Sequence, residues 1–306
     1  MGRANRAFGV CVALCLVVSL PGWCGTLEAG VATSNITPDT SALHVPLGGY
    51  GERMNARAEG VHDNTLAKAL VLRQDGKKFA LVSIDIQGIV RPLRDAVLER
   101  IKVTGITSDT LMLAASHTHA SVEMNALHSG NVFGIPNIGI FDQKLLDFTA
   151  DRVAEAIINA NRSFTPIRVG TGSAMVSGFN RNRRGDETLD EELTVTRVYR
   201  ADGSPLAVFV KFTAHPTYMS AKIMHVSAGW PGYLQREVEG QLGGGVTCMY
   251  SNGAEGDIAP RGGDVVGTVA RAEDHGLRLS NHVLALVDSI ETSADVAFSY
   301  SMTMLD

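Results

Sequence analysis

The chain has 306 residues, of which 45% are apolar and 19% are charged, and its formal net charge is −5. This length is enough for one large or two small domains with a sizeable buried core. The slightly acidic charge and the absence of a basic tract exclude a dedicated nucleic-acid-binding protein.

The N-terminal segment is typical of a secretory signal. Arg3 and Arg6 precede an apolar run over residues 8–20, which a Pro-Gly pair ends. A basic start followed by a short apolar stretch marks exported proteins, and the run is shorter than the about 20 residues that a membrane-spanning helix needs. We predict a signal peptide over residues 1–25 and a secreted or periplasmic protein. A short membrane anchor is the alternative.

Cysteine chemistry contributes little to this chain. The signal would remove three of the four cysteines and leave Cys248 alone in an apolar run. A single cysteine supports neither a disulfide framework nor a thiolate metal site. We interpret Cys248 as a buried, inert thiol.

Strand-like and helix-like segments alternate along the rest of the chain. Apolar runs predict strands at 66–72, 79–84, 110–115, 167–170, 193–199, 206–212, 246–250 and 296–304. Helical spacing predicts helices at 92–103, 142–161, 233–242 and 270–287. The turn sequences at 74–76 and 201–203 predict two hairpins. The order of elements predicts an α/β fold, with a mixed, mostly parallel sheet flanked by helices in a single domain.

Polar residues follow three of the predicted strands directly. The three segments are Ser116-His117-Thr118-His119, Ala214-His215-Pro216-Thr217 and Gly253-Ala254-Glu255-Gly256-Asp257. Open α/β sheets bind their ligands outside the carboxyl ends of the strands. The three segments therefore predict a site at this edge.

Histidines dominate two of these segments. Neutral imidazole is a good zinc ligand, and hydrolytic zinc sites use about three protein ligands and leave one position for water. Residues two apart in an extended backbone point to the same side, so we expect His117 and His119 to face one pocket, one as a ligand and the other assisting. His215 repeats the pattern at a second strand end. Ordinary surface or core histidines are the alternative.

Charged residues near the third segment are the other candidates. Glu255 and Asp257 could bind a cation or orient a water, or they could be solvated turn carboxylates. Arg181 lies in a short basic loop, where an arginine could hold a carbonyl or a developing oxyanion, although clustered arginines also form solvated faces. The chain has no Gly-x-Ser-x-Gly elbow, so the signature of a serine hydrolase is absent.

Several motifs fall in order along the chain and together form a more specific pattern than any one of them. They are Ile36-Thr37-Pro38, Leu47-Gly48-Gly49-Tyr50-Gly51, Gly60-Val61-His62-Asp63, Ser83-Ile84-Asp85, Ser116-His117-Thr118-His119, Phe179-Asn180-Arg181, Ala214-His215-Pro216 and Gly253-Ala254-Glu255-Gly256-Asp257. From about residue 28 onward the chain resembles the N-terminal domain of the neutral/alkaline non-lysosomal ceramidases.

The resemblance implies a zinc amidohydrolase that cleaves the N-acyl bond of ceramide with a metal-activated water. It makes His117 and His215 zinc ligands, His119 and Arg181 catalytic residues, and Asp257 a contact of the substrate. It implies a lipid or other small-molecule substrate and contact with a membrane surface, with no obligate protein partner.

Two departures from the family pattern qualify this expectation. The family completes its zinc shell with a glutamate and a tyrosine farther downstream, so we expect residues 28–306 to be a partial domain. Ala259 stands where the family carries a serine, which disfavours a serine nucleophile. The alternatives are a hydrolase of another N-acyl or O-acyl compound, such as an acylated sugar, and a non-catalytic member that binds lipid or glycan.

Overall fold

Twelve strands are present in the part of the chain that the structure describes. This computed structural model describes residues 25–261 and 268–303, so the predicted signal peptide lies outside the described residues except for Gly25. The strands are β1 (Glu28–Asn35), β2 (Gly60–Val61), β3 (Leu66–Gln74), β4 (Lys77–Ile84), β5 (Leu111–Ala115), β6 (Thr165–Met175), β7 (Asn180–Asn182), β8 (Glu192–Arg200), β9 (Pro205–Lys211), β10 (His225–Val226), β11 (Thr247–Ser251) and β12 (Ile258–Pro260).

The four predicted helices are present with small shifts at their ends. They are α1 (Arg91–Arg100), α2 (Gln143–Ala160), α3 (Gly229–Leu242) and α4 (Val269–Ser289). Side chains that accept backbone N–H groups begin two of them, Asp142 at α2 and Thr268 at α4. Within the described ranges, we find no helix with the length and apolar character that crossing a bilayer requires.

Eight strands form one mixed sheet in the order β11-β9-β8-β6-β1-β3-β4-β5. The mixed α/β fold flanked by helices is therefore confirmed. The sheet is not mostly parallel, however, because the parallel pairs are β4–β5 and β9–β11 and the other five pairings are antiparallel. Tight turns join β3 to β4 and β8 to β9, and a turn of that length connects only antiparallel strands.

Besides the short strands β2, β7, β10 and β12, which were not predicted, two longer segments differ from the predicted elements. Residues 296–303 form no strand. They lie beside β3, where the Gln74 side chain donates to the carbonyl of Val296 and accepts from the N–H of Phe298. The long central strand β1 was not predicted, because small and polar residues interrupt its apolar pattern. Its Gly30 lies directly against the Ala160 carbonyl of α2, which leaves no room for a side chain.

The sheet folds back on itself. Helices α1 and α2 cover the outer face of β3 and β4, and α3 and α4 cover the outer face of β8, β9 and β11. The inner faces share a third apolar cluster that includes Leu70, Val198 and Met249. The hydroxyl of Ser83 on β4 donates to the Tyr250 carbonyl of β11 (2.5 Å) and accepts from its N–H (3.2 Å).

A buried lysine reinforces the same contact. Lys68 on β3 is 2% exposed, and its Nζ donates to Glu239 Oε1 of α3 (2.7 Å) and to the Cys248 carbonyl of β11 (2.8 Å). Cys248 itself is fully buried, and burial raises the pKa of its thiol to about 12, as expected for an inert thiol. One ammonium group therefore connects the two halves of the sheet.

Replacing Lys68 tests this connection. We expect Lys68→Ala to lower the free energy of unfolding by about 3 kcal/mol, because it removes one partner of a largely buried ion pair. Lys102→Ala is the control. It breaks a lysine–glutamate pair whose side chains are more than two-thirds exposed, and pairs of that kind contribute under about 1 kcal/mol. Urea denaturation measures both variants, and equal losses would contradict the assigned role.

Candidate metal centre

The three predicted histidines lie at the carboxyl ends of two strands. His117 and His119 follow β5, and His215 follows β9. The loop after β5 is not extended, because His117 has a left-handed backbone conformation (φ 61°), which is unusual for a residue other than glycine. Its N–H donates to the Ile86 carbonyl (3.0 Å). A turn, rather than the alternation of an extended strand, brings the two rings to one side.

The imidazoles of the three histidines converge. Nε2 of His215 lies 3.0 Å from Nε2 of His117 and 3.0 Å from Nε2 of His119. The three ligand atoms all lie within 4.8 Å of one another, an arrangement that could hold a metal ion. Residues 98 positions apart in the chain therefore meet at one point.

Hydrogen bonds at the opposite ring nitrogens fix the tautomers of two histidines. Nδ1 of His117 lies 2.5 Å from the Gln87 carbonyl, and Nδ1 of His215 lies 3.1 Å from the Glu255 carbonyl. A carbonyl oxygen only accepts, so both Nδ1 atoms carry the proton. Both Nε2 atoms then present bare lone pairs to each other.

Protonation does not relieve this repulsion at neutral pH. Burial lowers the pKa of all three imidazoles, to about 4 for His215 and well below the usual value for His119, and the positive charge of Arg183 acts in the same direction. Two tetrahedral zinc ligands lie about 3.3 Å apart when each bond is about 2.05 Å. The observed 3.0 Å separations are close to that value, so the residues present fit a divalent ion.

His119 differs from the other two histidines. Its Nδ1 is buried and has no hydrogen-bond partner among the described residues. The ring instead packs edge-on against Tyr50, with ring centroids 4.9 Å apart, and it also lies directly against Gly49. Its orientation is therefore set by packing, and no carbonyl fixes its tautomer.

Arg53 holds the backbone around His119. This arginine is 5% exposed and donates to the carbonyls of Gly48 (2.7 Å) and His119 (2.6 Å). It also donates to the carbonyls of Ser220 and Ile223 in the loop before β10. Burial lowers its pKa to about 10, so it stays charged at neutral pH.

The predicted residue Glu255 lies beside the histidines. Its Oε1 is 3.9 Å from Nδ1 of His117, and its buried Oε2 has no hydrogen-bond partner among the described residues. Burial raises the pKa of this carboxyl to about 9, against the opposing effect of Arg183. The Glu255 carboxyl is therefore neutral at pH 7 in the absence of a further cation.

The remaining predicted residues lie on or directly beside strands β7 and β12. Arg181 is on β7, opposite Ala259 of β12. Ala259 is fully buried, and the carbonyl of its neighbour Ile258 accepts the N–H of His215. Asp257 accepts from the Asn182 side chain (3.2 Å), and its carbonyl accepts the N–H of Arg183 (2.7 Å). The structure thus gives Asp257 a part in joining β7 to β12.

Sequence reasoning gave no individual role to four residues that contribute to the site: Tyr50, Arg53, Gln87 and Arg183. Tyr50 stands in the Gly-Gly-Tyr-Gly motif, whose glycines could have indicated a close approach to another group. Arg183 lies two residues after Arg181 in the same basic loop, and its charge influences the pKa of all three histidines and of Glu255. Gln87 acts through its backbone carbonyl, which leaves no signal in the sequence.

A family model and similar curated proteins all point to the same protein family. The family model described as "Neutral/alkaline non-lysosomal ceramidase, N-terminal" matches residues 27–274. Neutral ceramidase A of Dictyostelium discoideum is 25% identical over 66% of this chain and 32% of its own length. Neutral ceramidase of Pseudomonas aeruginosa is 24% identical over 80% of this chain and 39% of its own length.

The solved structures show the same fold. The crystal structure of neutral ceramidase from Pseudomonas aeruginosa superposes with a TM-score of 0.72 at 22% identity, covering 87% of this chain and 45% of that one. A ceramidase structure described as complexed with C2 gives the same TM-score at 21% identity. The chain spans less than half the length of these relatives.

Substitution of Gly49 tests the packing of His119. Gly49 and Gly76 both have positive φ, but a Cβ at Gly49 would overlap the His119 ring, whereas a Cβ at Gly76 would meet nothing within 4 Å. We expect Gly49→Ala to lower the free energy of unfolding by about 2 kcal/mol more than Gly76→Ala does, because overpacking typically costs about 1–3 kcal/mol. Urea denaturation of the two variants measures the difference. Equal destabilisation would show that His119 is not held against Gly49.

Proposed function

The chain belongs to the neutral/alkaline non-lysosomal ceramidase family, and from that premise we propose that it acts as a zinc-dependent hydrolase of the N-acyl amide bond of ceramide or a related acylated compound. Its relatives include proteins named neutral ceramidase from Dictyostelium discoideum and Pseudomonas aeruginosa. The observation that carries the proposal is the meeting of the His117 and His215 lone pairs at 3.0 Å.

In this proposal His117 and His215 hold the zinc ion. Both rings are anchored through Nδ1 to backbone carbonyls, the arrangement that orients metal-bound histidines in proteins. When bound, zinc polarises the scissile carbonyl and lowers the pKa of a coordinated water toward about 7. An ion of another element with the same preference for nitrogen ligands would use the same two side chains.

His119 is proposed to move protons. Amide hydrolysis needs a group that takes a proton from the attacking water and one that gives a proton to the leaving amine. The Nε2 of His119 lies in the cluster, and its Nδ1 has no fixed partner among the described residues, so the ring can carry its proton on either nitrogen. Burial keeps this imidazole unprotonated and available as a base at neutral pH.

The basic loop after β7 is proposed to stabilise negative charge on the substrate carbonyl. Arg181 is the candidate from the family resemblance, and the electrostatic influence of Arg183 on the histidines supports a contribution from this second arginine. A guanidinium group stays protonated and presents several N–H donors in a fixed plane, which suits a developing oxyanion.

The buried Ala259 supports water as the nucleophile. This residue is fully buried and stands at the position where the family resemblance expects a serine, and alanine offers no hydroxyl. The same substitution supports a second candidate function, the hydrolysis of a different acylated compound.

Export through the predicted N-terminal signal and the domain limits 28–306 remain parts of the proposal.

Metal analysis tests the ligand assignment. We expect purified protein to bind about one zinc per chain, and His117→Ala or His215→Ala to weaken zinc affinity at least about tenfold, because ligand and near-ligand changes commonly cost about 10–100-fold. His44→Ala is the control, since His44 is exposed and bonds to the Asn55 carbonyl. Equilibrium dialysis with zinc measures affinity directly. Wild-type affinity in both ligand variants would refute the site.

His119→Ala separates catalysis from metal binding. We expect this variant to keep bound zinc and to lose activity on a water-soluble short-chain N-acyl amide by about 10²–10⁴-fold, the usual contribution of a positioned acid or base. The measurement is kcat with metal content determined on the same sample. Loss of zinc together with activity would instead make His119 a third ligand.

A further inference from the structure

An uncharged loop near the candidate site exposes a group of large apolar side chains. Residues 124–141 contain no Asp, Glu, Lys or Arg. Of the twelve large apolar side chains that are exposed among the described residues, four lie on this loop and a fifth lies beside it. We call these five the apolar loop patch: Met54, Val132, Phe133, Ile135 and Ile140. Apolar groups clustered in this way mark interaction sites more often than single exposed ones do.

The loop holds its shape through internal hydrogen bonds. The buried Asn125 side chain accepts the N–H of Val132 (2.7 Å) and donates to the Ile138 carbonyl (2.7 Å). The Asn131 side chain donates to the Ile135 carbonyl (3.0 Å). Three backbone groups of the loop are thus paired with side chains of the same loop, while Phe133 and Ile135 remain 44% and 48% exposed.

The same bonds connect the patch to the histidines. The N–H of Gly139 donates to the Met54 carbonyl, and the N–H of Ile140 donates to the Asn55 side chain. Met54 ends the short turn that follows Tyr50, and Tyr50 packs against His119. The patch and the candidate metal centre therefore share one structural support.

We infer that the apolar loop patch docks onto the surface of a lipid bilayer and brings the candidate site to lipids held in it. The inference rests on the proposed function, since a lipid amide is presented at such a surface. Each backbone group that is already paired within the loop, as those of Val132, Ile135 and Ile138 are, lowers the cost of entering the membrane interface, because it gives up no hydrogen bond to water. The absence of charge from the loop favours apolar insertion over attraction to anionic headgroups.

Vesicle binding tests the inference without requiring catalysis. The probe is phosphatidylcholine vesicles, which contain no amide-linked acyl chain. We expect the full chain to co-sediment with them, and Phe133→Ser/Ile135→Ser to reduce the bound fraction at least about tenfold, because two half-exposed apolar side chains no longer leave water. The matched control is Val103→Ser/Met175→Ser, which removes two exposed apolar side chains far from residues 124–141 in the chain and should bind as the wild type does.

Phe133→Trp gives an independent signal. We expect its tryptophan emission to shift to the blue when vesicles are added, whereas Met175→Trp should show no shift. Wild-type protein that stays in the supernatant, or equal binding by the patch variant and its control, would overturn the inference. The inference would also be overturned if the only effect of the patch substitutions were a changed sedimentation coefficient in the absence of vesicles, since a second copy of the chain would then cover the patch.

The kinetic comparison keeps this inference separate from the proposed function. The patch variant should hydrolyse a water-soluble N-acyl amide at the wild-type rate and lose activity only on the same amide held in vesicles. If the wild type binds vesicles but hydrolyses neither form, the docking surface stands and the proposed function fails. If it hydrolyses the soluble amide but does not bind vesicles, the proposed function stands and the docking surface fails.

Discussion

The folding of one sheet onto itself is the constraint on which the candidate site depends. Strands β5 and β9 lie six places apart in the sheet order, which would separate them by about 29 Å in a flat sheet with strands about 4.8 Å apart. The histidines that follow these two strands nevertheless have Nε2 atoms 3.0 Å apart. Ser83 and Lys68, which bond to β11 from β4 and β3, hold the two halves together.

The site divides its histidines between two kinds of support. His117 and His215 are fixed by hydrogen bonds to backbone carbonyls, so the direction of their Nε2 lone pairs does not depend on the packing of neighbouring side chains. His119 is fixed by the packing of Tyr50 and Gly49 and by Arg53 at its carbonyl. A metal ligand needs a fixed tautomer, whereas a residue that transfers protons must be able to change its tautomer.

The sequence predicted the main elements and the histidines, but not how they are arranged. Apolar runs ended by polar residues located the strands and placed His117, His119 and His215 at strand ends. Both predicted hairpins are present, but the expectation of a mostly parallel sheet was wrong, because the pattern of apolar residues does not settle whether the other strands pair parallel or antiparallel. The left-handed backbone of His117 and the carbonyl of Gln87 were not predictable, since they depend on tertiary contacts rather than on residue type. Lys68 and Arg53 are buried charges, which sequence patterns normally assign to the surface.

A crystal structure of the zinc-loaded protein, with anomalous diffraction collected at the zinc edge, tests the central claim most directly. We predict one strong anomalous peak that lies about 2.0–2.1 Å from both Nε2 of His117 and Nε2 of His215. The hydrogen bonds between Ser83 and β11 should remain in place. A peak located elsewhere, or histidines that bind zinc through Nδ1 after releasing their carbonyl partners, would contradict the claim.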